Sequence, residues 1–398
     1  MISIAILGFG VVGSGVAEVI SENSKDFAKR LGEEIDIKHI LDLRSFPDHP
    51  LGDRVTSNFD EILSDEDVKI VVETMGGSHP AYDFSKKALL AGKSVVTSNK
   101  EVVASFGAEL IDTARKNGVG YFFEASVGGG IPIIRPMWQC LASNKIVSVA
   151  GILNGTCNYI LTKMEKEQTD FSVALRQAQE LGYAERDPSA DIGGADTNRK
   201  ISILTSLAFG KHVYPDMIKC EGITDITYDD IAFARKRGCS IKLLGISKKA
   251  SDGKVYAMTA PYLVPESNSL ASVSDVYNGI LVVGNMVQDV LFCGRGAGSL
   301  PTASAVVADV LDAAENPGKS IGWANEQADF IGSTDDNETV CYVRTGADAE
   351  KIRAVFGNTD IDEIGSESVF FTEKMKESEL ENKLSKLGEK YVKIRVLE

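Results

Sequence analysis

Hydrophobic and polar positions follow two alternating periods along the first 130 residues. Short runs rich in β-branched residues predict buried strands, and stretches with a 3.6-residue period between them predict helices. The predicted strands are 2–10, 35–43, 69–77, 94–99 and 119–127. The predicted helices are 12–31, 80–92 and 100–117. Alternation of this kind is typical of a doubly wound parallel sheet, and it predicts an α/β nucleotide-binding domain over 1–144.

The pattern changes after residue 144, where longer helical stretches and separate strands take over. The predicted strands are 145–153, 255–264 and 280–293, and the predicted helices are 157–166, 171–182, 197–209 and 302–315. This mixture predicts a second, mixed α/β domain for substrate binding over 145–320. We expect the helix within 302–320 to pack back on the first domain.

The last part of the chain has a third pattern, and the polar segment "GSTDDNE" precedes it as a linker. Strands are predicted at 338–345, 366–373 and 391–398, with helices at 347–357 and 378–388. The order strand, helix, strand, helix, strand predicts a small α+β domain over 335–398.

Charge and cysteine content narrow the classes of function. The 398 residues include 42 basic and 57 acidic side chains, for a net charge of −15. This balance argues against nucleic acid or an anionic membrane as the main partner. The chain has no apolar run long enough to span a bilayer, and its first residues lack the basic region of a signal peptide. Six scattered cysteines without a CxxC pair predict reduced thiols, and the expected location is the cytoplasm.

The segment "GFGVVG" follows the first predicted strand and opens the first predicted helix. Gly8 permits a tight turn, Gly10 lets the backbone approach a pyrophosphate, and Gly13 allows close packing of helix on strand. Val11 and Val12 begin the helix, whose N-terminus faces the phosphates. In this context the motif predicts a Rossmann domain that binds NAD or NADP.

The choice of cofactor depends on "LDLRSF", at the end of the second strand. Asp42 can accept a hydrogen bond from the ribose 2′-hydroxyl of NAD, whereas Arg44 can pair with the 2′-phosphate of NADP. The two signals conflict because side-chain direction decides between them. We favour NADP slightly.

Two further segments lie where open α/β sheets bind ligands, at the ends of later strands. In "TSNKE", Thr97 and Lys100 are placed to meet the cofactor or the substrate. In "EASVGGGIP", Glu124 and the glycine turn either hold a monovalent cation or form a flexible hinge. The residues do not separate these two alternatives.

The richest segments for chemistry are "GILNGTCNYI" and "DPSADIGGADTNRK". The first is either a cradle for a carboxylate or an ordinary capped helix start. In the second, Lys200 follows Asp196 by one helical turn, which suits a lysine in proton transfer positioned by a carboxylate. Glu185 and Asp191 suit a cationic substrate amine. From the residues alone we predict an NAD(P) oxidoreductase for a small polar substrate.

Taken together, these segments resemble homoserine dehydrogenase. That family's signature is matched without a departure from Ala178 through Gly182-Tyr183, Asp187-Pro188 and Asp191-Ile192 to Asp196 and Lys200. The segments "TSNKE", "EASVGGGIP", "GILNGTCNYI" and "GRGAGSLPT" also resemble family blocks in the same order. The resemblance covers residues 1–320.

The resemblance implies NAD(P)-dependent interconversion of L-homoserine and L-aspartate 4-semialdehyde, in the pathway to threonine and methionine. It makes Lys200 the lysine that exchanges the hydroxyl proton and Lys100 a second catalytic lysine, with Asp196 orienting Lys200. The implied substrate residues are Glu185, Asp191, Gly155, Thr156 and Tyr183. Gly296 would approach the cofactor. Glu124 and the carbonyls of Val127, Gly129 and Ile131 match the family's structural sodium loop.

The same resemblance implies a homodimer formed through the second domain. The tail resembles an ACT domain, a regulatory module that can sense threonine, although it is short and has no clear ligand-binding glycine loop. A structural or oligomer-forming tail is the alternative.

Two other functions compete with this interpretation. One is a related Rossmann dehydrogenase that acts on another amino-acid-derived aldehyde. The other is a non-enzymatic NAD(H)-binding sensor that regulates gene expression. The intact signature argues against the first, and the acidic charge without a basic helix-turn-helix argues against the second.

Overall fold

The computed structural model describes all residues from Met1 to Glu398, which form twenty strands and thirteen α-helices. The strands are β1 (Ile2–Leu7), β2 (Ile35–Leu41), β3 (Val55–Thr56), β4 (Val68–Glu73), β5 (Ser94–Thr97), β6 (Tyr121–Phe122), β7 (Ile146–Ile152), β8 (Lys211–His212), β9 (Lys219–Cys220), β10 (Cys239–Lys249), β11 (Val255–Pro265), β12 (Tyr277–Gly284), β13 (Gln288–Arg295), β14 (Ala324–Gln327), β15 (Glu338–Thr339), β16 (Cys341–Thr345), β17 (Ile361–Ile364), β18 (Glu367–Phe371), β19 (Met375–Lys376) and β20 (Tyr391–Val396). The helices are α1 (Val11–Glu22), α2 (Ser24–Leu31), α3 (Phe59–Ser64), α4 (Ala81–Leu90), α5 (Lys100–Lys116), α6 (Gly155–Glu167), α7 (Phe171–Glu180), α8 (Ser189–Ile192), α9 (Ala195–Phe209), α10 (Tyr228–Lys236), α11 (Ser299–Glu315), α12 (Ala349–Phe356) and α13 (Glu377–Leu387).

The chain divides into two compact units. The first unit comprises Met1–Ile146, Ser202–Pro215 and Gly294–Ala328. The second comprises Val147–Ile201, Asp216–Cys293 and Asp329–Glu398. The boundaries of these two units differ from those of the three predicted domains. In particular, the predicted C-terminal domain lies in the same unit as the middle of the chain. No helix is long and apolar enough to cross a membrane.

The first unit is built on a six-stranded parallel sheet in the order β3-β2-β1-β4-β5-β6. The predicted parallel α/β domain is therefore confirmed, and its central strands are buried along most of their length. The strand order reverses beside β1, so the ends of β1 and β4 form the crevice where such sheets bind ligands. Helix α11 also belongs to this unit and packs on α1.

The second unit is built on a sheet in the order β13-β12-β7-β10-β11-β20-β16-β18-β17, with β9 paired to β11. Its longest pairing joins β10 and β11 along eleven residues of each. Apolar side chains from α6, α7 and α10 pack on this sheet and form its core. Strands from the tail continue the same sheet, because β20 pairs with both β11 and β16.

Several predicted elements are wrong in detail. The single helix at 12–31 is two helices, since Asn23 has non-helical angles between α1 and α2. The strand at 280–293 is two strands, β12 and β13, and the strand at 119–127 is reduced to β6. Strand β10 and helix α10 were not predicted at all. The tail contains six strands where three were predicted, because β15, β17 and β19 are additional.

Candidate active site

The centre of the second unit's polar site is the pair formed by Lys200 and Asp196 on α9. The ammonium of Lys200 donates to Oδ2 of Asp196 at 2.7 Å and to the carbonyl oxygen of Leu153 at 2.8 Å. Both side chains are buried, and they lie one helical turn apart as their spacing predicts. The structure therefore places a paired lysine where the connection from β7 to α6 meets the start of α9.

Asn154 joins the two acidic parts of this cluster. It is the N-cap of α6, where its Oδ1 accepts the backbone N–H of Cys157 at 2.8 Å. Its Nδ2 donates to Asp191 Oδ1 at 2.7 Å and to Asp196 Oδ2 at 2.9 Å. One amide group thus holds two carboxylates together beside Lys200. Sequence reasoning did not assign Asn154 to the site, although its position between a strand and a helix is a recognisable N-cap signal.

Cys157 lies beneath this cluster but is not a nucleophile. Its thiol is buried, and its Sγ lies 3.2 Å from the carbonyl oxygen of Asp191. Burial, together with the nearby carboxylates of Asp191 and Asp196, holds the pKa of the thiol well above its usual range. The thiol is therefore a poor candidate for the reactive group of the cluster.

The remaining predicted substrate residues surround the start of α6. Thr156 donates its hydroxyl to the carbonyl oxygen of Tyr183 at 2.7 Å, which fixes the loop that follows α7. The Tyr183 ring is 45% exposed and packs against Tyr159, with ring centroids 5.0 Å apart. Gly155 has no room for a side chain, since a Cβ there would lie 2.9 Å from the carbonyl oxygen of Val276.

Glu185 differs from the other predicted substrate residues. Its side chain is exposed, and its main-chain oxygen accepts a hydrogen bond from Gln179. The structure places it two residues beyond Tyr183 on the same loop. Glu185 is therefore exposed to solvent and does not belong to the buried cluster around Lys200.

In the first unit, the glycine motif has the geometry of a phosphate cradle. Gly8 has a positive φ of 88°, and Thr74 donates its hydroxyl to the Gly8 carbonyl oxygen at 2.8 Å. A Cβ on Gly13 would lie 2.0 Å from that same oxygen, so only glycine allows α1 to pack here. A Cβ on Gly10 would meet no atom within 4 Å, which leaves open space above the helix N-terminus.

Val11 and Val12 form the first turn of α1 beside this open space, and Val11 is 70% exposed. A cavity of about 530 Å³ opens at the same place and is lined in part by Gly8, Gly10 and Asp42. The cradle and the cavity fit the pyrophosphate and the adenosine half of a dinucleotide.

Asp42 and Arg44 form an ion pair at the end of β2. The Asp42 carboxylate accepts the backbone N–H of Phe9 at 2.8 Å and of Arg44 at 2.9 Å, and the Arg44 guanidinium binds both of its oxygens. These donors hold the pKa of Asp42 well below its usual range. The Asp42 side chain is 9% exposed and that of Arg44 is 61% exposed, so arginine is the group presented to solvent.

The segment at the end of β5 is organised by a buried carboxyl group, Glu73. Thr97 donates its hydroxyl to Glu73 at 2.5 Å and accepts the backbone N–H of Asn99 at 2.9 Å. Thr97 is fully buried, and its hydroxyl is occupied by these two partners. Asn99 caps α5, where Lys100 is the first residue. Glu73 and Asn99 were both missed by sequence reasoning. Asn99 stands inside the "TSNKE" segment, where its place before a helix is an N-cap signal, whereas Glu73 lies in no motif.

Glu73 is also electrostatically unusual. It is 0% exposed, and burial raises the pKa of its carboxyl group to about 7 despite the hydrogen bonds from Thr97 and the backbone of Met75. Asn99 donates its amide to the carbonyl oxygens of Met75 and Gly77. Glu73 and Asn99 thus hold the backbone before and after Gly76, which lines the cavity next to Gly8 and Gly10.

The glycine-rich turn after β6 is held by Glu124. The Glu124 carboxylate accepts the backbone N–H groups of Ile133, Ile134 and Arg135 at 2.6 to 2.8 Å. Asp309 on α11 accepts the backbone N–H of Glu124 and pairs with the Arg135 guanidinium. All the acceptor oxygens of Glu124's side chain are therefore directed at its own turn.

Gly129 in this turn has a φ of 56° and lies against Gly296, whose carbonyl oxygen would be 2.4 Å from a Cβ on Gly129. Val127 and Ile131 are buried on either side of it. The predicted sodium loop and Gly296 are thus neighbours. No group of three or more His, Cys, Asp or Glu side chains is placed to hold a metal ion.

Comparison with known proteins identifies two family profiles along the chain. The profile "Homoserine dehydrogenase, NAD binding domain" matches residues 8–124, and the profile "Homoserine dehydrogenase" matches residues 132–311. The homoserine dehydrogenase of Synechocystis sp. is 44% identical over 319 residues, which cover 78% of this chain and 73% of that protein. The homoserine dehydrogenase of Helicobacter pylori is 39% identical over 368 residues, covering 90% of this chain and 86% of that protein.

Solved structures give the same result. A homoserine dehydrogenase from Thiobacillus denitrificans has a TM-score of 0.93 and 33% identity, covering 100% of this chain and 98% of that chain. A mutant hyperthermophilic archaeal homoserine dehydrogenase in complex with NADPH has a TM-score of 0.67 and 30% identity, covering 78% of this chain and 97% of that chain.

Proposed function

The chain belongs to the homoserine dehydrogenase family, and we propose how its own residues divide the work of that reaction. It is an NAD(P)-dependent oxidoreductase that acts on a CH–OH group and interconverts L-homoserine and L-aspartate 4-semialdehyde. The reaction lies in the pathway to threonine and methionine. The nicotinamide cofactor, when bound, accepts or supplies the hydride.

The observation that carries the proposal is the hydrogen bonding of Lys200. An ammonium group has three N–H donors, and two of them are directed to Asp196 and Leu153. The third remains for the substrate oxygen. In aldehyde reduction this N–H stabilises and then protonates the developing alkoxide, and in the reverse direction the amine takes the hydroxyl proton. Asp196 holds the side chain in the orientation that this transfer needs.

We assign the amino group of the substrate to the acidic side of the cluster. Asp191 lies beside Asp196 through the shared amide of Asn154, and Glu185 adds a carboxylate on the solvent side. The backbone at Gly155 and Thr156 opens α6, whose N-terminus favours the substrate carboxylate. Tyr183 covers this position from the following loop. An amino-acid substrate would thus find a partner for each of its charged groups.

The cofactor proposal rests on the first unit alone. Gly8, Gly10 and Gly13 with the first turn of α1 would hold the pyrophosphate, and Gly296 would approach the cofactor from the glycine-rich turn. Lys100 at the start of α5 is assigned as the second catalytic lysine. We propose NADP as the preferred cofactor, because Asp42 already accepts four N–H groups while Arg44 extends toward solvent. The NADPH complex of the archaeal relative supports the same choice.

A sodium ion at the glycine-rich turn would be structural. Because the Glu124 carboxylate is occupied by three backbone N–H groups, we propose that Glu124 contributes its main-chain oxygen. The carbonyl oxygens of Val127, Gly129 and Ile131 would complete the set, in keeping with the preference of hard cations for oxygen ligands. Replacing sodium with a large organic cation should then lower the thermal midpoint, and an unchanged midpoint would argue for a plain hinge.

The tail is proposed as an ACT-like module. Its elements follow the order β16-α12-β17-β18-α13-β20, and its four strands lie in the order β20-β16-β18-β17. This is a β-α-β-β-α-β arrangement of ferredoxin-like type, which supports the proposal. Initial velocities with increasing L-threonine distinguish a sensing module, which should inhibit, from a structural one.

The edge strand β13 supports a homodimer formed through the second unit. Leu291 and Cys293 are exposed on it, and an edge strand presents unpaired backbone groups that favour association. Light scattering on the purified enzyme would test this assignment.

The experiment that tests the function is the initial velocity of L-homoserine oxidation with NADP⁺ and with NAD⁺ at alkaline pH, followed by absorbance of the reduced nicotinamide. Turnover supports the assignment, and the ratio of the two kcat/KM values identifies the preferred cofactor. Absence of turnover in folded protein that binds NADPH would overturn it.

A further inference from the structure

The loop that carries Asp191 is clamped by the segment 220–223 of the same unit. The backbone N–H of Ile223 donates to the carbonyl oxygen of Ile192 at 2.9 Å. A Cβ on Gly222 would lie 2.2 Å from that same oxygen, so the two backbones are in direct contact. The end of α8 therefore cannot shift without displacing this segment.

A second set of contacts extends the clamp toward Asp196. The thiol of Cys220 lies 3.4 Å from the carbonyl oxygen of Gly193. A Cβ on Gly194 would lie 3.0 Å from both the Cys220 sulfur and the carbonyl oxygen of Glu221. The clamped residues 192–194 thus lie along the chain between Asp191 and Asp196, whose carboxylates Asn154 joins.

The clamp itself is held by an arginine near the end of the chain. Arg395 on β20 binds the Glu221 carboxylate with both terminal nitrogens, at 2.7 and 3.0 Å. The same guanidinium binds the Glu377 carboxylate at the start of α13, with its NH2 nitrogen at 2.9 Å. Arg395 and Glu377 are both 0% exposed. A bidentate, buried pair of this kind fixes position more strictly than a surface ion pair does.

The charges around Arg395 balance. Lys393 pairs with Glu377 and Glu381, and Lys219 lies 3.6 Å from Glu221. Loss of either partner of the Arg395–Glu221 pair upsets this balance and removes the two hydrogen bonds that fix Glu221. The backbone of Glu221 touches the clamped loop at Gly194, and its N–H donates to the carbonyl oxygen of Thr259 on β11 at 2.8 Å.

We propose that Arg395 and Glu221 are positioning residues for the dehydrogenase reaction, linking the C-terminal strand to the loop that holds the substrate amine. Neither side chain touches the proposed substrate position. Their effect is transmitted through the backbone of 220–223 to residues 192–194. The proposal rests on the assignment of Asp191, Asp196 and Lys200 made above.

The test is steady-state kinetics of Glu221→Gln and Arg395→Lys in the full-length enzyme. Glu221→Gln is isosteric, Arg395→Lys keeps the positive charge on a smaller head group, and each removes the bidentate charged pair. We expect the KM for L-homoserine to rise roughly five- to tenfold while the KM for the cofactor stays within about twofold. Gly222→Ala should produce the same pattern, because its Cβ pushes directly on the carbonyl oxygen of Ile192.

The matched control is Arg344→Lys. Arg344 on β16 also joins the tail to the rest of the unit, through a buried pair with Asp230 on α10 at 2.8 Å. It donates to the carbonyl oxygen of Asp225 at 3.1 Å but makes no hydrogen bond with 220–223. This variant should therefore lower the thermal midpoint and leave the KM for L-homoserine unchanged. A purely structural role for Arg395 would make the two arginine variants behave alike, and that result would overturn the proposal.

Failure of this proposal and failure of the proposed site give different results. If Lys200→Met loses turnover while folded Glu221→Gln keeps the parent KM for L-homoserine, only the positioning role is overturned. If Lys200→Met retains turnover, the site assignment itself is overturned. If Arg395→Lys does not fold, the kinetics of Glu221→Gln alone test the positioning role. The Glu221 side chain is 27% exposed, so the fold should tolerate this substitution more easily.

Discussion

The ammonium of Lys200 lies 2.7 Å from the carboxylate of Asp196, one helical turn earlier on α9. Because both side chains are buried, this pair is held in one geometry, whereas an exposed pair would be mobile. The carboxylate keeps the lysine oriented, and the proposed mechanism uses the third N–H of the lysine for the substrate oxygen.

Replacement of Lys200 by methionine should remove proton transfer without removing the cofactor site. We expect kcat to fall roughly 100- to 10,000-fold, the usual contribution of a general acid–base group. The affinity for NADPH, measured by its fluorescence, should be unchanged. Lys116→Met on the surface of α5 is the control and should keep parent kinetics. Near-normal turnover in Lys200→Met would exclude the lysine as the proton-transfer group.

Asn154→Ala should affect both stability and catalysis. The loss of an N-cap costs about 1 kcal/mol of unfolding free energy. The loss of the amide also separates Asp191 from Asp196, so we expect a higher KM for L-homoserine and a lower kcat. Asn58→Ala is matched to it, since Asn58 caps α3 and binds no carboxylate of the site. Similar destabilisation of both variants with altered kinetics in only one would support the assignment; identical kinetics would contradict it.

The two glycines at the start of α1 should respond differently to alanine. Gly13→Ala places a Cβ 2.0 Å from a carbonyl oxygen, and overpacking of this kind costs about 1–3 kcal/mol of stability. Gly10→Ala meets no protein atom, so its fold should remain stable. If a pyrophosphate occupies this space, the affinity of Gly10→Ala for NADPH should fall at least about tenfold, or 1.4 kcal/mol. Unchanged affinity, measured by titration calorimetry, would place the pyrophosphate elsewhere.

Arg44→Ala should reveal the cofactor preference. Hydrogen bonds to a charged phosphate contribute about 1.5–3 kcal/mol, so the KM for NADP⁺ should rise roughly 10- to 100-fold. The KM for NAD⁺ should fall or stay constant, because Asp42 is then released to accept the ribose hydroxyl. Arg30→Ala, which removes an exposed pair with Glu315 in the same unit, is the control. An equal effect on both cofactors would contradict a 2′-phosphate contact.

Glu73 should make the stability of the fold depend on pH. Its pKa is raised from 4.5 to about 7 by burial, so the folded protein binds this proton more tightly than the unfolded chain does. The resulting stabilisation is fully present below pH ~4.5 and is lost as pH rises through ~7. Relative to Glu73→Gln, the unfolding free energy of the parent should therefore fall by about 3 kcal/mol across this range.

Urea unfolding at several pH values measures this difference. Thr97→Val provides a second comparison, because removal of the hydroxyl donor should move the transition to higher pH. If the difference in unfolding free energy between the parent and Glu73→Gln is constant from pH 4.5 to 8, then the pKa of Glu73 does not change on folding.

Much of the first unit could be predicted from local pattern. The strands of the parallel sheet are short apolar runs, and the glycines at 8, 10 and 13 are close neighbours in the chain. Strand β10 escaped prediction because its middle is buried on both faces, so its apolar run lacks the alternation that distinguishes a strand from a helix. The split between α1 and α2 escaped because amphipathic periodicity continues across Asn23.

The sequence by itself determined the family, the parallel sheet, the glycine motif and the Lys200–Asp196 pair, because each depends on neighbours within a few turns or on a continuous signature. Only the tertiary structure decided that Asn154 joins Asp191 to Asp196 and that Arg395 holds Glu221, 174 residues away. It also decided that Arg44 faces solvent while Asp42 binds the glycine loop. Hydrogen bonds between residues that are distant in the chain depend on how strands pair and helices pack. A local sequence pattern does not contain this information.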